Sequence, residues 1–188
     1  WGPETRLFPD AALKVWEGSL QVPGHLMGVE KLWNSFGQQI LEWRDDRCDF
    51  RLTTHRGTET GKWMGPSQVR RESLVFEVEG GIDDVLTLTV DGEQYALPVR
   101  MLLQGTRIYA QYSQCERRII KKFGPTPHYR DDFIWHCAFK FRVRRAVPSP
   151  AYTLNESFTT TLDAGSQYRL RVWLKNGDAA WTSPIFCR

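Results

Sequence analysis

Four histidines are scattered through the 188 residues, His25, His55, His128 and His136, with no His-x-His, no His-Glu-x-x-His and no ligand pair at helical spacing. A divalent ion takes about four to six ligands and must also hold water. These imidazoles are therefore expected as surface or structurally hydrogen-bonded groups, and no metal site is expected. No Gly-x-Ser-x-Gly elbow marks a nucleophilic serine, and Cys137 directly after His136 would point to the opposite face of a strand. Cys48, Cys115, Cys137 and Cys187 lack any Cys-x-x-Cys pair. Their wide spacing reads as four thiols packed as small apolar side chains, with two disulfides as the alternative. Gly80-Gly81 precedes Asp83-Asp84, whose carboxylates would repel a phosphate, so the glycine pair reads as a turn. No catalytic residue and no cofactor are expected.

Aromatic residues offer a different chemistry. Eight tryptophans are many for this length, and a tryptophan exposed on a β-sheet can stack on a sugar ring, although core packing is the commoner fate of so large a side chain. Trp33, beside Asn34 and Ser35, and Trp63, in a glycine-rich stretch, are the tryptophans expected to be exposed. With Tyr112 and Tyr129 they form the candidate ligand-binding set. Lys140, Arg142 and Arg144 alternate along one predicted strand, and Arg169, Arg171 and Lys175 along another. Each set reads as a solvated outer face, with an anionic polymer as the less favoured alternative.

The elements that would position these residues follow a period of two. Leu74, Phe76 and Val78 share a face, as do Leu86, Leu88 and Val90, then Tyr95, Leu97 and Val99. Asp91-Gly92 lies between the last two runs and tolerates positive φ at both central positions, so it predicts a two-residue hairpin. Asn176-Gly177 predicts a second one, between a strand through Tyr168, Leu170, Val172 and Leu174 and a strand through Trp181 and Ile185. Further strands are predicted over 13–22, 48–54, 134–143 and 152–162. One helical turn is expected over 99–104, and a short helix or an irregular strand over 111–123. Long loops are expected over 54–71 and 124–132. The fold class that results is all-β: one antiparallel β-sandwich domain over 1–188, jelly-roll or Ig-like, with two long loops and little helix.

Composition agrees. Hydrophobic residues make up 41% and charged residues 25%, which excludes disordered and collagen-like classes. No run approaches the roughly 18 apolar residues of a membrane span, so no membrane partner is expected. Lys and Arg exceed Asp and Glu by only 25 to 22, too little for a field over the whole molecule that would draw nucleic acid. The chain begins at Trp1 rather than Met, which reads as a mature product or a piece of something longer.

Several segments carry a family resemblance: Val15-Trp16-Glu17-Gly18-Ser19-Leu20, Arg145-Ala146-Val147-Pro148 with Ala151-Tyr152-Thr153, and Tyr168-Arg169-Leu170-Arg171-Val172 followed by Asn176-Gly177 and Ala180-Trp181-Thr182-Ser183-Pro184-Ile185. From about Leu13 to its end the chain resembles the C-terminal β-sandwich region of bacterial PHP-superfamily metal-dependent hydrolases, the phosphoesterase-like group that includes carbamate hydrolases. That family usually ends Trp-Ser-Ser-Pro-Ile-Trp, so Thr182, Phe186 and Cys187 are departures. In the family the metal site belongs to an N-terminal catalytic domain, and no segment here matches its ligand motifs. The resemblance therefore implies an accessory, non-catalytic module of the bacterial cytoplasm or periplasm. Its partner would be the catalytic PHP-type domain, and it would support that domain or an oligomer interface. A homo-oligomer and a glycan are the other partners considered. Trp181 is expected to pack against neighbouring sheet residues, and Pro184, lacking an N–H, to end strand pairing.

Overall fold

The structure, a computed structural model, describes residues 8–31, 37–55, 72–125, 131–152, 155–157, 159–173 and 179–187, with the side chains of 131–133 and 173 outside the description. The chain divides into two compact units, Trp1–Pro148 and Ser149–Arg188, where the sequence reading has one domain. After a 3-10 turn at Pro9–Ala12, the first unit runs β1 (Leu13–Gln21), β2 (His25–Lys31), β3 (Gln38–Trp43), β4 (Arg47–His55), β5 (Leu74–Glu79), β6 (Val85–Val90), β7 (Glu93–Pro98), α1 (Val99–Gln104), β8 (Arg107–Ala110), α2 (Tyr112–Phe123), α3 (Asp131–Cys137) and β9 (Lys140–Val143). The fold is antiparallel and all-β, with little helix, as the alternation predicts.

Five strands form one sheet in the order β3-β4-β1-β6-β7. Its register puts the large apolar side chains on a single face: Trp16 opposite Leu52, Leu20 opposite both Cys48 and Leu88, and Leu86 opposite Leu97. The other face carries Glu17, Arg51, Asp49 and Arg47, joined as the pairs Arg51–Glu17 and Arg47–Asp49. Gly18 lies opposite Phe50. A Cβ at Gly18 would fall 2.5 Å from the Phe50 ring and 2.8 Å from the Thr89 carbonyl oxygen, so the glycine leaves the space in which that ring crosses β1. Asp91 and Gly92 close the β6–β7 hairpin with φ of 50° and 84°, as their residue types predict.

Two ribbons cover the apolar face. In β2–β5, Leu74, Phe76 and Val78 point inward, and Phe76 meets Phe50 at 5.9 Å between ring centroids. In β8–β9, Tyr109 and Phe141 stack at 5.4 Å and meet Tyr95 edge-on. Two strands carry a register shift that the sequence reading did not foresee. In β2 it falls between Leu26 and Gly28, and in β3 between Ile40 and Glu42, so Met27 and Leu41 are extra residues and both stand exposed.

Of the two alternatives over 111–123 the chain takes the helix, α2, in which Cys115 and Ile119 are buried four residues apart, in step with the buried N-cap residue Gln111. The strand predicted over 134–143 is corrected: its first half is α3, because Ile134, Cys137 and Ala138 recur at helical spacing and turn inward together, and only Lys140–Val143 is β9. Lys140 does not lie on a solvated face. It is 2% exposed, its ammonium donating to the Ala138 carbonyl and lying over the Trp135 ring, while Arg142 and Arg144 are exposed.

The second unit holds α4 (Ser149–Tyr152), β10 (Gln167–Tyr168), β11 (Arg171–Trp173), β12 (Ala179–Trp181) and β13 (Ile185–Phe186), paired as β10–β13 and β11–β12. The strand predicted over 152–162 is corrected: Tyr152 closes a helical turn and the described residues 155–162 form no strand, their Ser, Thr and Asn side chains building no apolar face. The Asn176-Gly177 turn and most of both predicted loops, 56–71 and 126–130, lie outside the described residues. β12 pairs with β11 as far as Trp181, the Thr182 N–H donating onward to the Leu170 carbonyl at 3.1 Å, and beyond Ser183 and Pro184 the chain pairs again, from Ile185, with β10. Trp181 is 59% exposed, and its contact within the sheet is with the Arg171 guanidinium directly opposite on β11, 6.0 Å from its ring.

Candidate functional site

Lys14, Val15 and Glu17 of β1, the Asp91-Gly92 turn, and Gln114 and Arg117 of α2 line an open groove of about 720 Å³. Its position follows from the strand order. β6 lies beside β1, so the turn closing β6–β7 lands against Glu17, whose backbone carbonyl accepts from Asp91 N–H at 2.7 Å. The positive φ at Asp91 then turns its carboxylate back onto β1. One oxygen accepts the Glu17 backbone N–H at 3.0 Å, and the other takes Lys14 Nζ at 2.7 Å and Gln111 Nε2 at 2.9 Å.

The groove floor is therefore an ion pair held in protein rather than in water. The Lys14 and Asp91 side chains are 18% and 13% exposed, and Gln111 is fully buried. The Lys14 ammonium also lies 5.1 Å from the Trp16 ring and 5.2 Å from the Phe139 ring. Glu17 is engaged by Arg51 at 2.7 Å. Lys14, Asp91 and Glu17 thus spend their charge on one another and on the scaffold, and the groove contains no nucleophile held by a base.

Two of the thiols are held in unreactive form. Burial pushes the Cys48 and Cys115 thiols up to about 11, which keeps them protonated and poorly nucleophilic at neutral pH. None of the four cysteines is in a disulfide. Brief iodoacetamide treatment of native protein is expected to label Cys187, the one thiol that is not fully buried, and all four cysteines to react only after denaturation; the masses of intact labelled protein check this. Burial, with the hydrogen bond to Glu93, pushes the Tyr95 hydroxyl up as well.

His25 bonds Asp45 at 2.7 Å, and that contact raises its pKa from 6.5. A raised folded-state value stabilises the fold fully below the unfolded pKa, and the contribution is lost as pH rises through the folded one. The stability difference between wild type and His25→Gln is thus expected to be largest near pH 5 and to shrink above about pH 7, as urea midpoints across pH would show. His136 is exposed, and no group of three His, Cys, Asp or Glu suited to a metal occurs among the described residues.

Of the four predicted ligand-binding residues, Trp33, Trp63 and Tyr129 lie outside the described residues. Tyr112 is 48% exposed and lies 6.0 Å from Trp135, the two rings inclined by 39°. It does not line the groove. Trp43, which the sequence reading passed over, is 48% exposed, with its indole N–H donating to the Leu26 carbonyl at 3.2 Å. Lys14 and Gln111 were missed too: a lone lysine in a strand and a lone glutamine before a helix carry no local signal of a shared partner. No helix among the described residues is long and apolar enough to cross a membrane. Comparison with family models, with curated proteins and with solved structures finds no match.

Proposed function

We propose that the chain is a non-catalytic accessory β-sandwich module of a PHP-type metal-dependent hydrolase, which supports the catalytic domain or an oligomer interface. The observation that carries this reading is the second unit. Over Ser149–Arg188 none of the described residues is buried, while Trp181, Ile185 and Phe186 are 59%, 63% and 69% exposed. Two-stranded ribbons are marginal in water, and below about 40 residues a unit rarely stabilises itself. Apolar side chains left open on so small a unit call for a covering partner. The terminal segment that resembles the PHP-hydrolase region, Ala180 to Ile185, lies in this same unit.

The coding sequence upstream of Trp1 tests the proposal. Continuation into a domain rich in His and Asp, with His-x-His motifs, supports it. A start codon or a cleaved secretion signal immediately upstream overturns it.

A second reading, a free-standing carbohydrate-binding module, is favoured by the exposure of Tyr112 beside Trp135 and of Trp43. It requires that neutral sugars shift tryptophan fluorescence and that Tyr112→Ala or Trp43→Ala abolish the shift. Titrations with no change in emission eliminate it.

A further inference from the structure

The charge of the chain is unevenly distributed. Residues 1–98 hold ten Lys and Arg against sixteen Asp and Glu, while residues 99–148 hold eleven against three. The fold carries this division onto two separate surfaces, because the two ribbons packed on the common core come one from each segment.

On β2–β5 the register turns Glu30, Glu77 and Glu79 outward, together with Val75, which is 55% exposed and directly opposite Glu30. On β8–β9 it turns Ile108 outward, 44% exposed and directly opposite the exposed Arg142, with the exposed Arg144 just beyond the strand, while Lys140, in the next pair on that side, is buried. Each ribbon therefore presents an apolar side chain beside charges that are predominantly of one sign, carboxylates on β2–β5, where His25 opposite Glu79 is held by Asp45, and guanidinium groups on β8–β9. A surface with an acidic half and a basic half is complementary to itself under a two-fold rotation. The acidic ribbon of one copy then faces the basic ribbon of the other, and the second contact repeats the first.

We infer that the outer faces of β2–β5 and β8–β9 form the interface of a closed, two-fold symmetric homodimer. The apolar residues occupy the contact centres and the carboxylates and guanidinium groups surround them. Such an interface is salt-sensitive, because its charges are exposed before contact.

Sedimentation velocity of the full chain tests this at about 100 µM protein, in about 20 mM and about 500 mM NaCl. The expected result is a dimer at low salt and dissociation at high salt. Glu30→Lys with Glu79→Lys makes both ribbons basic, and Arg142→Glu with Arg144→Glu makes both acidic. Each double variant is expected to sediment as a monomer, its self-association weakened by about tenfold or more. An equimolar mixture of the two is expected to form the dimer again. If a double variant fails to fold, as judged by far-ultraviolet circular dichroism, the single reversals Glu30→Lys and Arg144→Glu make the same comparison. A monomer at low salt overturns the proposal. So does an open series of larger species, or a dimer that ignores the reversals.

Discussion

Replacing Asp91 with alanine is expected to cost about 3 kcal/mol of folding stability, because breaking a buried ion pair leaves the surviving charge without compensation. The carboxylate takes Lys14 Nζ at 2.7 Å, the Gln111 amide at 2.9 Å and the Glu17 backbone N–H at 3.0 Å. After the substitution Lys14 is left 18% exposed with its counter-ion gone, and the amide of fully buried Gln111 loses its acceptor. The backbone adds to the loss, since φ at Asp91 is 50°, a conformation that alanine tolerates less well than aspartate. Asp91→Asn separates these contributions. It keeps the turn preference and an acceptor oxygen but removes the charge, so its loss is expected to fall between those of wild type and alanine. Urea denaturation gives the three values. Equal midpoints for wild type and Asp91→Ala would show that the cluster contributes nothing.

Trp16→Ala is expected to cost about 3–5 kcal/mol, the usual range for emptying a large aromatic site in a core. The ring is 6% exposed, meets Phe139 and Phe141 edge-on at 5.7 and 6.3 Å, and donates its indole N–H to Thr54 Oγ1 at 2.9 Å. Trp16→Phe keeps an aromatic ring and loses the hydrogen bond, so about 1 kcal/mol is expected beyond the loss of ring volume. Lys14 lies against both the Trp16 ring and Asp91, which couples the two sites. The double variant is expected to lose less than the sum of the single losses. Strict additivity in that cycle would show that Lys14 does not link them.

The sheet was legible where local chemistry and burial agree. Asp91-Gly92 forms its hairpin because only residues that tolerate positive φ fit there, and β1 and β4 pair over nine residues with no register shift. β2 and β3 lack the alternation for one physical reason: each carries a bulge, which in β2 places the inward Leu26 and Val29 three apart and in β3 shifts the register after Ile40, so the period of two is lost. α3 was read as a strand because its apolar spacing spans little more than one turn, too short to separate two periods. The site was legible least of all. Asp91 was visible as a turn residue, but its hold on Lys14 and Gln111 arises only when strand order brings distant segments together. Tyr112 is 48% exposed, and its neighbour Trp135 could not be inferred from spacing.

The bulged strands are also the edges of their sheets, β3 of the five-stranded sheet and β2 of its ribbon. An incoming strand would need a continuous row of backbone donors and acceptors in step with its own, and each bulge breaks that row in the middle. These margins are therefore poor seeds for stacking chain upon chain. A concentrated solution of this β-rich protein should resist fibril growth from them even though Leu41 and Met27, both more than half exposed, sit on those margins.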